Sequence, residues 1–176
     1  MSAGNPEPLL ALIGEPPMTA VWEQLARAYG DPLASGRIRC EPEDFRVREL
    51  LRLSDEDSGE HLWLQVRKRD WTTPSVAAWL ADAFGVPGSA VTWAGLKDRV
   101  AVTDQWFGVH LPGRSPDLPD PPEGLRWLAA RRQARKLRIG GLLGNRFELV
   151  LRDVATEPQQ WLRRLLAISR RGVPNY

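Results

Sequence analysis

Apolar residues recur along this chain with two periods, and the period changes from segment to segment. Thr19 to Tyr29 carries Val21, Trp22, Leu25, Ala26 and Tyr29 at helical spacing, with Gly30 as a stop, and predicts an amphipathic helix after a Gly- and Pro-rich arm over 1–17. Arg37–Cys40 and Phe45–Leu51 read as strands, the second with Phe45, Val47 and Glu49 on one face. His61–Arg67 follows as another strand, with Leu62, Leu64 and Val66 alternating. A helix then starts at Thr73 as cap, with Pro74 in its first turn and Val76, Trp79, Leu80 and Phe84 along one side, and stops at Gly85. Val91–Ala94 has the β-branched and aromatic content of a strand, and Gln105–Leu111 alternates as a half-buried strand does. Residues 112–124 form a Pro/Asp/Gly-rich connection that is not expected to be ordered throughout. Leu125–Ala130, Lys136–Ile139 and Asn145–Val154 are the remaining strands, with Gly140, Gly141 and Gly144 as turn residues between the last two. The closing helix begins at Thr156, carries Trp161, Leu162, Leu165 and Leu166 as an apolar stripe and ends at Gly172. These elements predict an α+β fold, a mixed and mostly antiparallel sheet with helices packed on it.

Composition narrows the chemistry. At 176 residues and 43% hydrophobic content the chain supports one globular core. No apolar run approaches the roughly 20 residues of a membrane span, and residues 1–17 lack the pattern of a secretory signal, so a soluble cytoplasmic protein is expected. Cys40 stands alone, and with only His61 and His110 beside it no metal-ligand cluster suggests itself, so no metal or cofactor is expected. Net charge is only +2, but between Glu123 and Glu148 there is no acid, while Arg126, Arg131, Arg132, Arg135, Lys136, Arg138 and Arg146 fall there. Such a stretch is either a solvated basic face or a surface for phosphates.

One segment carries candidate chemistry. In Ala94-Gly95-Leu96-Lys97-Asp98-Arg99-Val100-Ala101-Val102-Thr103-Asp104-Gln105 an acid sits between two cations just after a strand. Lys97 and Arg99 would favour the ionised form of Asp98, leaving it available as nucleophile or base. By spacing alone, the same triplet also suits a solvated turn with local ion pairs. A glycosidic hydrolase with a second acid at Asp104 is disfavoured, because six residues along an extended strand point the two carboxylates apart.

The wording of that segment resembles the signature of the TruD family of tRNA pseudouridine synthases, and three further segments agree with it in order and spacing. They are Pro42-Glu43-Asp44-Phe45-Arg46-Val47-Arg48-Glu49, Gly144-Asn145-Arg146-Phe147 and Gly172-Val173-Pro174-Asn175-Tyr176. The resemblance runs from about Gly36 to the last residue and implies an N-terminal arm and helix over 1–35, then the N-terminal half of a pseudouridine synthase catalytic domain over 36–176. On that reading the chain is a fragment, a split protein or a truncated frame, feeble or inactive alone, with exposed sheet edges open to self-association. The activity implied is isomerisation of a uridine in tRNA, at position 13 near the D arm, to pseudouridine. The resemblance makes Asp98 the catalytic carboxylate and matches Phe45 and Asn145 to substrate-contacting residues; Phe147, Lys97 and Arg99 are further substrate-binding candidates, while Phe45 and Phe147 also suit an ordinary sheet core and Asn145 a turn after Gly144. Arg39 stands where many relatives have lysine, and no specific contact is assigned to it. Thr103 and Gln105 are expected to hold the Asp98 loop. A noncatalytic RNA-binding module is the alternative, one that would have no use for Asp98.

Overall fold

The computed structural model describes residues 27–55, 57–155 and 157–173. They fall into two compact units, a larger one over 35–154 and a smaller one formed by residues before 35 and after 154. The larger unit holds six strands: β1 (Phe45–Leu50), β2 (His61–Arg69), β3 (Val91–Trp93), β4 (Val102–His110), β5 (Leu125–Gln133) and β6 (Gly144–Leu149). They form one sheet in the order β5-β2-β4-β1-β6, with β3 also on β4. Only the β1–β4 pairing is parallel, so the sheet is mixed and mostly antiparallel as expected.

β4 is the spine. Its first half pairs with β1 through Val102, Thr103 and Asp104, and its second half pairs on the same side with β3 through Phe107, Gly108 and Val109. The loop 94–101, which joins β3 to β4, therefore emerges at the seam between β3 and β1. Helix α1 (Thr73–Ala83) packs Val76, Ala77, Leu80 and Ala81 against Leu64, Val66, Phe107 and Val109 on one face of the sheet. It covers β2 and β4 and does not share a core with β1 or β6; there Phe45 and Val47 are buried with Ala101 of the 94–101 loop, while Phe147 and Leu149 on β6 stay exposed. The other face is closed at one end by a smaller core of Trp63, Ala94, Trp106 and Leu137.

Several expectations are corrected. β4 is buried on both faces rather than half-buried, because helix α1 lies on one side and the chain around Leu137 on the other. Arg37–Cys40 is not a strand; only Arg37 bridges, to Arg152. Lys136–Ile139 is irregular, its Leu137 buried and its following Gly140 donating to the carbonyl of Ala94 at 3.0 Å. The cap of α1 is Thr72, whose hydroxyl accepts from the Ser75 amide at 3.1 Å, one residue earlier than expected. β6 ends at Leu149, not Val154. The connection 112–124 is tethered, with Trp127 donating to the Pro119 carbonyl at 2.9 Å and Trp71 to that of Glu123 at 3.0 Å.

In the smaller unit, helix α2 (Pro158–Arg171) ends on Gly172, whose φ of 72° is a conformation that side chains disfavour. None of its residues is buried, so the expected stripe of Leu162, Leu165 and Leu166 stays exposed. Thr156 and most of the predicted helix Thr19–Tyr29 lie outside the described residues.

Candidate active site

The loop after β3 is held from below by side chains. Gln105 on β4 donates to the carbonyl of Gly95 at 2.7 Å and accepts from the buried hydroxyl of Thr73 at 2.9 Å. The same Thr73 oxygen accepts the amide of Lys97 at 3.1 Å. Gln105 thus tethers the loop, whereas the Thr103 hydroxyl is buried with no hydrogen-bond partner among the described residues. Lys68, fully buried, donates to the carbonyl of Asp98 at 2.8 Å and to that of Trp71 at 2.7 Å. Burial pulls its ammonium down to about 8 from 10.5; the charges of Asp98 and Glu49 oppose that shift and the charge of Lys97 adds to it.

Lys97 does not face Asp98. Its ammonium lies 2.7 Å from Glu49 on β1, and the pair is buried, with side-chain exposures of 8% and 0%. The second oxygen of Glu49 accepts the Trp106 amide at 2.7 Å. Burial pushes the Glu49 carboxyl up, against the lowering influence of Lys97 and of that amide. The cation at Asp98 is instead Arg39, whose Nη2 lies 3.0 Å from Asp98 Oδ2. Its guanidinium also rests over the Phe45 ring, 4.1 Å from the centroid.

Arg39 reaches that position through a left-handed backbone, φ 56°, which costs an ordinary residue roughly 1 kcal/mol. Asp44 supports the turn. Its buried carboxylate accepts the amides of Cys40 and Glu41 at 3.1 and 3.2 Å and is gripped by Arg152 at 2.8–3.0 Å. Those Arg152 bonds hold the Asp44 carboxyl below its ordinary value despite burial.

On the part of the sheet face beyond α1, β1 and β6 are in antiparallel register, with Val47 opposite Phe147 and Glu49 opposite Asn145. Phe45 and Phe147 are diagonal neighbours on that face and stack at 6.1 Å between centroids. A shallow concavity of about 150 Å³ opens there, lined by Phe45, Val47, Leu96, Lys97, Asp98, Asn145 and Phe147. Five of the six residues named from the sequence meet at this one place, drawn from β1, the 94–101 loop and β6. Arg99 is exposed and is not among the lining residues. The Asp98 side chain is 54% exposed at the rim.

The profile of the tRNA pseudouridine synthase D (TruD) family matches residues 26–176. The chain belongs to the TruD family. It is 49% identical over 156 residues to a protein of Aeromonas salmonicida named tRNA pseudouridine synthase D, covering 88% of this chain and 44% of that one. A Chromohalobacter salexigens protein of the same name is 46% identical over 171 residues, 90% of this chain and 47% of its own. This TruD-family chain therefore spans somewhat under half the length of these curated relatives. The crystal structure of a Methanosarcina mazei protein described as tRNA pseudouridine synthase D (TruD) superposes with a TM-score of 0.65 at 26% identity, over 80% of this chain and 33% of that one.

Sequence reasoning missed Glu49, Lys68 and Arg39 as parts of this candidate site. The first two had a signal: each continues an apolar stripe, Phe45-Val47-Glu49 and Leu62-Leu64-Val66-Lys68, and a charge in a core-facing stripe marks a buried pair or network. Arg39 was noted only as a cation where many relatives have lysine, and its contact went unassigned because it depends on a left-handed turn and on a partner 59 residues away.

Proposed function

We propose that this chain carries the reactive carboxylate and part of the nucleoside pocket of an enzyme that isomerises a uridine of tRNA to pseudouridine. The substrate position that fits the family reading is uridine 13, near the D arm, and the setting is the cytoplasm. The convergence of Phe45, Lys97, Asp98, Asn145 and Phe147 on one concavity, in a member of the TruD family, carries this reading.

The reaction cleaves the N1–C1′ bond of uridine, rotates the uracil and joins C5 to C1′. The C5 hydrogen leaves as a proton while N1 regains one, so substrate and product have the same composition. Asp98 serves beside C1′, as nucleophile or as base for a sugar proton, and either role needs the carboxylate ionised and placed. Arg39 occupies one of its oxygens and leaves the other to the substrate. Buried Lys68 and Thr73 fix the backbone on either side of it. A uridine must leave its stack to arrive here, and the exposed ring of Phe147, backed by Phe45, offers a surface for the flipped base. Asn145 reads a polar edge of the base. Lys97, locked to Glu49, shapes the pocket wall, and Arg99 is left to phosphates outside the cavity.

Tritium release from tRNA labelled at uridine C5 tests this. The protein expressed from its complete reading frame should release tritium from wild-type tRNA but not from tRNA with cytidine at position 13. Release that is indifferent to that substitution would refute the assigned position, and no release at all would refute the activity.

A further inference from the structure

The basic stretch that the linear sequence gathers between residues 126 and 146 does not fold into one patch. Arg131 lies 3.7 Å from Asp57, and Arg132 donates to the carbonyls of Leu111 and Arg114. Strand register instead brings two members of that stretch, Arg126 and Arg146, together with four arginines from other strands on the sheet face turned away from Asp98. Arg126, Arg67, Asp104, Arg48 and Arg146 stand in one cross-strand row over β5, β2, β4, β1 and β6. Arg69 and Arg46 occupy the adjacent row, with Val102 between them.

Folding alone does not favour this arrangement. Arg67 is directly opposite Arg126, and Arg48 directly opposite Arg146; like charges so placed destabilise a sheet. Asp104, almost fully buried, holds Arg67 at 2.7 Å and Arg48 at 3.1 Å from the floor. Arg146 meets Glu148 at 3.2 Å, and Arg69 meets Glu43 and Asp70, each at 2.7 Å. Six guanidinium groups thus face four carboxylates, and among the described residues neither Arg46 nor Arg126 forms an ion pair. Two adjoining concavities, of about 60 and 330 Å³, are lined by these residues and share Arg46 and Arg67.

With strands roughly 4.8 Å apart, the first row extends about 19 Å. A single phosphate cannot reach along it, whereas a nucleic-acid strand carries a charge about every 3.4 Å of helix rise. Arginine forks also match phosphate oxygens in pairs. We propose that this row binds the phosphodiester backbone of RNA, as a second contact surface on the opposite face of the sheet from the Asp98 concavity. The inference rests on the RNA substrate proposed above.

The test uses the protein from its complete reading frame and a triple variant, Arg46→Gln with Arg126→Gln and Arg146→Gln, which spares the two arginines that hold Asp104. Binding of fluorescently labelled tRNA is followed by anisotropy across a salt titration. The triple variant should bind at least about tenfold more weakly, and the slope of log K against log salt should fall by about 2 to 3. Its melting temperature should stay close to that of wild type, since two opposed like-charge pairs are relieved while the exposed Arg146–Glu148 pair and the Arg46 cation opposite Glu148 are lost. Arg126→Gln alone should lower the slope by about 1 if the triple variant does not fold. A charge-matched control elsewhere, Arg131→Gln with Arg135→Gln and Arg138→Gln, all exposed, should have a smaller effect on both quantities. Wild-type affinity and slope in the row variants would overturn the inference, as would equal losses in the control. Unchanged tRNA binding with lost binding to phosphatidylserine vesicles would give the row to a membrane surface instead. Tritium release is read separately, so failure of the proposed activity remains distinguishable from failure of the row.

Discussion

Lys68 and Arg39 determine how the Asp98 carboxylate is presented, one from beneath the backbone and one from beside the side chain. Because the folded Lys68 titrates near 8 and a free lysine near 10.5, the unfolded chain holds a proton that the folded one lacks between those values. The contribution of this group to stability therefore rises with pH across that window, by up to about 3 kcal/mol. Urea unfolding followed from pH 7 to pH 10.5 should show that rise in wild type and not in Lys68→Met; parallel curves would contradict it. Arg39 acts at the carboxylate itself. Arg39→Met should lower kcat by about ten- to a hundredfold, the equivalent of roughly 1–3 kcal/mol, with a smaller effect on tRNA affinity. Arg39→Lys should recover part of the loss, because it restores the charge but not the planar fork. At this scale the sequence was read where a residue belongs to a local string, as Asp98 does; Glu49 and Lys68, which break an apolar stripe, carried a signal that went unread. The sequence was not legible at Arg39, whose role depends on backbone conformation and on chain brought close by folding.

Among the elements, the short hydrogen-bonded path from β4 through Gln105 and Thr73 to the loop 94–101 makes the difference between a surface turn and a placed one. The motif continues past Asp98 to Gln105 because the loop and its tether lie in the same hairpin, β3 to β4, while Thr73 at the start of α1 closes the path from another part of the chain. Thr73→Val keeps the shape but leaves the Gln105 oxygen and the Lys97 amide without this partner. We expect it to cost about 1–3 kcal/mol in chemical unfolding and to reduce turnover through misplacement of Asp98, whereas unchanged stability would show that the tether carries no strain. Alternation and β-forming residue content found all six strands, five of them within three residues at each end, but ran β6 five residues too far, because β6 has no buried face to mark its end, and read Arg37–Cys40 and Lys136–Ile139 as strands that do not form. They could not tell that β4 is covered on both sides, because a residue's second neighbour depends on which strand or helix arrives later. Lys136–Ile139 was misread for the same reason: Leu137 is apolar because it plugs a core of tryptophans, not because it belongs to a ladder.

At the scale of the molecule, α1 covers one half of a sheet face and shares no core with the β1–β6 half, and the β3–β4 loop brings a carboxylate to the boundary. The fold class followed from periodicity, and the family from four ordered motifs. The strand order followed from neither, because β1 joins β4 in parallel across a pairing that no local pattern records. The arginine row, a product of that strand order, was invisible for the same reason. The claim on which the rest depends is that the Asp98 carboxylate performs chemistry rather than holding RNA. Single-turnover formation of pseudouridine, measured on the same preparations whose tRNA dissociation constants are determined, tests it most directly. Asp98→Asn should form no detectable pseudouridine while binding tRNA within about threefold of wild type, a change of less than roughly 1 kcal/mol. If Asp98→Asn converts the uridine at a rate near that of wild type, Asp98 is not the reactive group and the site lies elsewhere.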